Sequence, residues 1–150
     1  MYPKILVPLD GSETAERGLR EALQLASEQK STLVLLHVID DFPMLAEMAS
    51  VSAYEETLDH LRSAGHRLMA LGQAKAEEAG VKVQIRFCEI TRERVGQAIV
   101  DEARISGCDL IVMGTHGRRG FNRVMMGSDA EFVVRASSVP VLLVRSNVPD

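Results

Sequence analysis

Short, almost unbroken apolar runs alternate along this chain with stretches in which apolar residues recur every three or four positions. The runs Lys4 to Leu9 (KILVPL), LVLLHVI after Ser31 and Thr32, and Leu110 to Met113 carry little polar character, as strands covered on both faces do. Between them the spacing is helical. Ala15, Leu19, Ala22, Leu23 and Ala26 form one apolar face, with Ser12 or Asp10 available as N-cap and Glu13 and Glu16 near the positive end of the helix. Tyr54, Leu58, Leu61, Gly65, Leu68, Gly72 and Ala79 form a longer face that stops at Gly80, and its two internal glycines imply close backbone packing. Val95, Ala98, Ile99 and Ala103 make a third helix between Thr91, read as its N-cap, and Gly107.

Two segments depart from this plan. Lys82 to Ile90 alternates Val83, Ile85 and Phe87 with Lys82, Gln84 and Arg86, which predicts an edge strand with one partly wet face. Asp40 to Ser52 shows no period and is expected to be an irregular, partly apolar loop. Toward the end of the chain, Ser128 and Glu131 stand at capping-box spacing, predicting a fourth helix that starts at Ser128, turns Phe132 and Val133 inward and stops before Pro140. Val139 to Val144 is the last strand.

The order β-α-β-α-β-α-β-α-β with apolar strands predicts an α/β fold of a single domain over residues 1–150: a doubly wound, five-stranded parallel sheet with four helices, Rossmann-like. Ligands of such sheets bind beyond the strand carboxyl ends, where strand order reverses. Asp10, the stretch from Val38 to Asp40, and Gly114 fall at that end.

Composition narrows the chemistry. With 46% hydrophobic and 25% charged residues, 150 residues support one globular core, and no apolar run approaches the about 18 residues of a membrane span. The N-terminal stretch lacks a signal peptide's long apolar segment, so a cytoplasmic protein is expected. A net charge of −4 argues against a nucleic-acid partner. Cys88 and Cys108 lack metal or redox spacing and read as reduced core thiols.

The stretch after Met113 is the most informative. Gly114, Gly117, Gly120 and Gly127 are spread through a segment with Arg118, Arg119 and Arg123, between a buried strand and a helix start. Glycine lets backbone N–H groups approach an anion without a Cβ in the way, and the helix N-terminus adds unpaired donors and partial positive charge. A turn required by geometry alone is the competing reading of any such loop.

Gly114, Gly117, Gly127 and Ser128 fit G-x2-G-x9-G-[S/T], and with ILVPLDGS, LLHVID, CDLIVMGTHGRRG and SSVPVLLVR the whole chain resembles the nucleotide-binding branch of the universal stress proteins, the UspA-like family. The resemblance implies strand order 3-2-1-4-5 and a bound adenine nucleotide, ATP or else ADP or AMP, with Mg2+ as its companion ion. It implies that Asp10 accepts from the ribose hydroxyls, Val38 meets the adenine through its backbone, and Gly114, Gly117, Gly127 and Ser128 line ribose and phosphates. Pro8, Leu9, Met113, His116, Arg118 and Asp129 complete the nucleotide site it implies. Asp129 departs from the small apolar residue common in the family: its carboxylate would repel a triphosphate unless a divalent ion or an arginine offsets it.

The expected role is regulatory or stress-response nucleotide binding without fast catalysis. GxxxxGK[ST], GxGxxG after the first strand and GxSxG are all missing, and Glu56 with His60 lacks a second histidine, so no catalytic residue and no protein metal site is assigned. A slow ATP hydrolase and a protein-interaction module with an empty nucleotide site are the alternatives. The resemblance also predicts a homodimer, through antiparallel pairing of Val139, Pro140, Val141, Leu142, Leu143, Val144 and Arg145 with a second copy, since a long apolar edge invites pairing.

Overall fold

The computed structural model describes residues 1–47, 50–116 and 126–145. Its elements follow in the order β1 (Lys4–Pro8), α1 (Glu13–Gln29), β2 (Thr32–Asp40), α2 (Phe42–Glu47), α3 (Val51–Glu78), β3 (Lys82–Ile90), α4 (Val95–Ile105), β4 (Leu110–Gly114), α5 (Ser128–Ala136) and β5 (Val141–Val144). The strands form one five-stranded sheet in the order β3-β2-β1-β4-β5, parallel at every pairing. Successive strands run outward from β1 to β3, then return to β4 on the other side of β1, so strand order reverses between β1 and β4.

Two faces of the same strands explain why those strands are apolar throughout. Ile5, Val7, Leu33, Leu35, Leu110 and Val112 point to one side and pack with Leu19, Ala22, Met69 and Ala76 of α1 and α3. Leu6, Val34, Leu36, Ile111 and Met113 point to the other and pack with Ile99, Ala103, Ala130 and Val133 of α4 and α5. Leu19, with no exposed surface, contributes about 1.5–3 kcal/mol by that burial. The glycines of α3 do what their spacing predicts: a Cβ on Gly72 would meet Leu35 at 3.0 Å and Leu9 at 3.1 Å, so the helix backbone lies directly on the sheet. Past Ala79 the chain turns at Gly80, whose φ of 70° favours glycine.

On the outer strand β3, Val83 and Ile85 are half-buried against the α1/α3 side, while Phe87 is exposed and meets the His66 ring edge-on at 4.4 Å. This is the half-wet edge that alternation predicts.

Four expectations need correction. The segment after Asp40 contains a six-residue helix, α2, beside the four crossover helices. Asp40 Oδ1 accepts from the Phe42 N–H at 3.1 Å, the Asp41 carbonyl accepts from Leu45, and Pro43 sits in the first turn, where no N–H is required. Buried Asp41 also accepts the Tyr54 hydroxyl, which holds its carboxyl below the usual range and ties the start of α3 to this corner.

Thr91 is not the cap of α4. The Glu93 carboxylate takes the Thr91 N–H at 3.2 Å in a tight turn, and the helix begins at Val95 with Arg94 as N-cap and no side-chain cap bond. Ser128 is not the cap of α5 either: Gly127 holds that place, Ser128 is the first helical residue, and Glu131 pairs with Arg135 at 2.7 Å instead of closing a capping box. The last strand is shorter than Val139–Val144, because the Ser137 hydroxyl bonds both peptide groups of Val139 and regular pairing starts at Val141.

Candidate functional site

The carboxyl ends of β1, β2 and β4 gather the described candidates at the reversal of strand order. Beyond Pro8, the Leu9 N–H donates to the Leu36 carbonyl at 2.8 Å. Asp10 follows, with Oδ1 accepting from the Ser12 N–H at 2.9 Å across Gly11 at φ 84°. Ser12 then caps α1 by accepting from Ala15 N–H at 3.2 Å, as one of the two expected caps. The result is a half-buried carboxylate held in a fixed direction at the mouth of the sheet.

Val38 lies beyond the last β1 pair, which is Pro8 with Leu36. Leu36 turns its carbonyl to Leu9, and backbone groups of a strand return to the same side every second residue, so the peptide groups of Val38 face the space that β1 vacates. That is a backbone edge able to read a flat polar ring.

Across the reversal, Met113 is buried and Gly114 ends β4. A Cβ on Gly114 would stand 2.7 Å from the Thr14 Cβ and hydroxyl and 2.9 Å from its backbone carbon, so only glycine fits beside α1. The Thr14 hydroxyl donates to the His116 carbonyl, which fastens the chain leaving β4 to the first turn of α1. Thr115 is buried; its N–H donates to Val144 at 3.0 Å and its carbonyl accepts from the Gly127 N–H at 2.7 Å. Gly127 and Ser128 are thereby brought next to Gly114 and His116, and the N-terminus of α5 stands beside the end of β4.

Ser128 and Asp129 are exposed on the first turn of α5, where Asp129 favours the helix's positive end. Gly117 and Arg118, with Arg119 and Arg123, lie outside the described residues. Thr14 and Thr115 are the site residues that sequence reasoning missed. Thr14 had a signal, a β-branched polar residue in the first turn of an amphipathic helix; Thr115, between Gly114 and His116, had none. Among the described residues no group of three His, Cys, Asp or Glu could hold a metal ion, and Glu56 and His60 are both exposed on α3.

Residues 1–145 match the model of the universal stress protein family. The universal stress protein MJ0577 of Methanocaldococcus jannaschii is 33% identical over 159 aligned residues, covering 97% of this chain and 96% of that one. Its solved structure superposes with a TM-score of 0.87 at 31% identity, covering 99% of both chains. The universal stress protein YxiE of Bacillus subtilis is 30% identical over 151 residues, covering 97% of this chain and all of its own. A family protein from Arabidopsis thaliana, solved with AMP bound, shares the fold at a TM-score of 0.69 and 19% identity, covering 97% of this chain and 92% of its own. With sheet order and nearly full-length likeness in agreement, the chain belongs to the universal stress protein family.

Proposed function

We propose that this protein binds an adenine nucleotide, ATP or else ADP or AMP, at the mouth formed by β1, β2 and β4, and that it acts as a regulatory stress-response protein rather than a fast enzyme. The observation that carries this reading is the bond from Gly127 to Thr115, which leaves the first turn of α5 beside the end of β4, the strand next to the one that leads to Asp10. Unpaired N–H groups and the Ser128 hydroxyl then serve phosphate oxygens, the Asp10 carboxylate accepts from ribose hydroxyls, and the backbone of Val38 meets the adenine. Pro8 and Leu9 at the end of β1 and Met113 near the end of β4 complete the proposed set of contacts. Because Ser128 is not engaged in a capping box, its hydroxyl can both donate and accept toward a ligand. The AMP bound in the Arabidopsis protein is a ligand that this fold accommodates.

Mg2+ would enter with the phosphates and draw its ligands largely from phosphate and water oxygens. It would also offset the Asp129 carboxylate, which otherwise opposes a triphosphate. The deciding experiment is titration of ATP, ADP and AMP with and without Mg2+, on the wild type, Asp10→Ala and Gly117→Val, with phosphate release followed in the same samples. Binding to the wild type that weakens about tenfold or more in Asp10→Ala is expected. Absence of binding, or equal binding by Gly117→Val, removes the assignment and leaves an interaction module; steady turnover would make the protein a slow hydrolase.

A further inference from the structure

We propose that His37, which lies outside the set of nucleotide contacts, positions Asp10 and thereby sets the protein's selectivity for ribose hydroxyls; this rests on the nucleotide reading above. His37 is a polar residue in the middle of the apolar run of β2, and its ring lies on the α3 side of the sheet, half-buried. Nδ1 stands 2.8 Å from the Leu9 carbonyl. A carbonyl only accepts, so Nδ1 carries the proton and donates.

Leu9 is the residue just past β1, where strand pairing has ended. Its N–H is held by Leu36 and its carbonyl by His37, so β2 grips both peptide groups of the residue that precedes Asp10. The ring in turn has little room to tilt. A Cβ on Gly65 would lie 2.6 Å from its Cδ2 and 2.9 Å from its Nε2, so the backbone of α3 presses on one flank, and the Phe87 ring meets it edge-on at 6.5 Å. A chain of contacts therefore runs from α3 through His37 and Leu9 to the carboxylate at the mouth. A core histidine that merely satisfied its own hydrogen bond could use any nearby carbonyl. This one holds the peptide on which the direction of Asp10 depends.

The test compares affinities for ATP and 2′,3′-dideoxyATP, measured calorimetrically, in the wild type, His37→Asn, His37→Leu and Gly65→Ala. The Asn side-chain N–H occupies the place of Nδ1, whereas leucine has no donor and a Cβ at position 65 displaces the ring. The wild type is expected to prefer ATP by about tenfold or more, the worth of hydrogen bonds to a charged group. In His37→Leu and Gly65→Ala that preference should fall to within about twofold with dideoxy affinity unchanged, and His37→Asn should keep it. Equal losses for both nucleotides, an intact preference in Gly65→Ala, or an Asn variant no better than Leu would each overturn the inference. If His37→Leu fails to fold, the contrast between His37→Asn and Gly65→Ala decides. A wild type that binds neither nucleotide overturns the functional assignment itself and the inference with it, an outcome distinct from bound nucleotide without the expected selectivity.

Discussion

The Thr115 carbonyl and the Gly127 N–H meet at 2.7 Å, and this one bond ties the residue after β4 to the N-cap of α5. It brings two distant points of the glycine-rich stretch into one place and holds Gly127 in the extended conformation of an N-cap, at φ −61° and ψ 154°. The same end of β4 is clamped from the other side by Thr14, which is why position 114 tolerates no side chain.

Gly114→Ala should therefore destabilise the protein by about 1–3 kcal/mol, the usual cost of forcing a methyl group into filled space. One of the colliding atoms is the Thr14 backbone carbon at 2.9 Å, so trimming the Thr14 side chain should not restore the loss. Thermal unfolding of Gly114→Ala and of Gly114→Ala with Thr14→Ala measures both. Full recovery in the double variant would show that the clash is with the side chain alone.

The outer position of β5 leads to a prediction about assembly. Leu142 is 42% exposed on this edge strand and Val134 of α5 is 46% exposed, both large apolar surfaces for a monomer to leave in water. We predict that the wild type sediments as a dimer at micromolar concentration and that Leu142→Lys shifts it to monomer with the fold retained. A monomeric wild type would remove the pairing of Val139 to Arg145 as the interface.

Burial pushes the Cys108 thiol up to about 11 from an ordinary 9. The folded protein thus holds this proton more tightly than the unfolded chain. Its contribution is complete below about pH 9 and disappears as pH rises through about 11, up to about 2–3 kcal/mol in all. Urea unfolding between about pH 8 and about pH 11 should show wild-type stability falling more steeply than that of Cys108→Ala. Parallel curves would mean that the thiol does not titrate between the two states.

The corrected helix starts show why local pattern is an incomplete guide. Ser128 and Glu131 have the spacing of a capping box, but which residue becomes the cap depends on where the chain arrives, and Thr115 pins that point at Gly127. At Thr91 a carboxylate two residues on captured the N–H and delayed the helix to Val95. Both outcomes turn on single hydrogen bonds of about 1 kcal/mol, too small and too specific to appear in hydrophobic periodicity.

Periodicity in the sequence by itself determined the parallel sheet, its four crossover helices and the half-wet outer strand, because burying apolar area on one face or on two leaves a different pattern in each case. Local chemistry likewise marked Ser12 as a cap and Gly80 as a helix stop. Tertiary structure alone decided that Thr14 meets His116 across 102 residues, that His37 finds the Leu9 carbonyl, and that Gly65 and Gly114 serve two different side chains. Those partners are far apart in sequence, and their meeting depends on the order in which strands assemble rather than on any property of either residue.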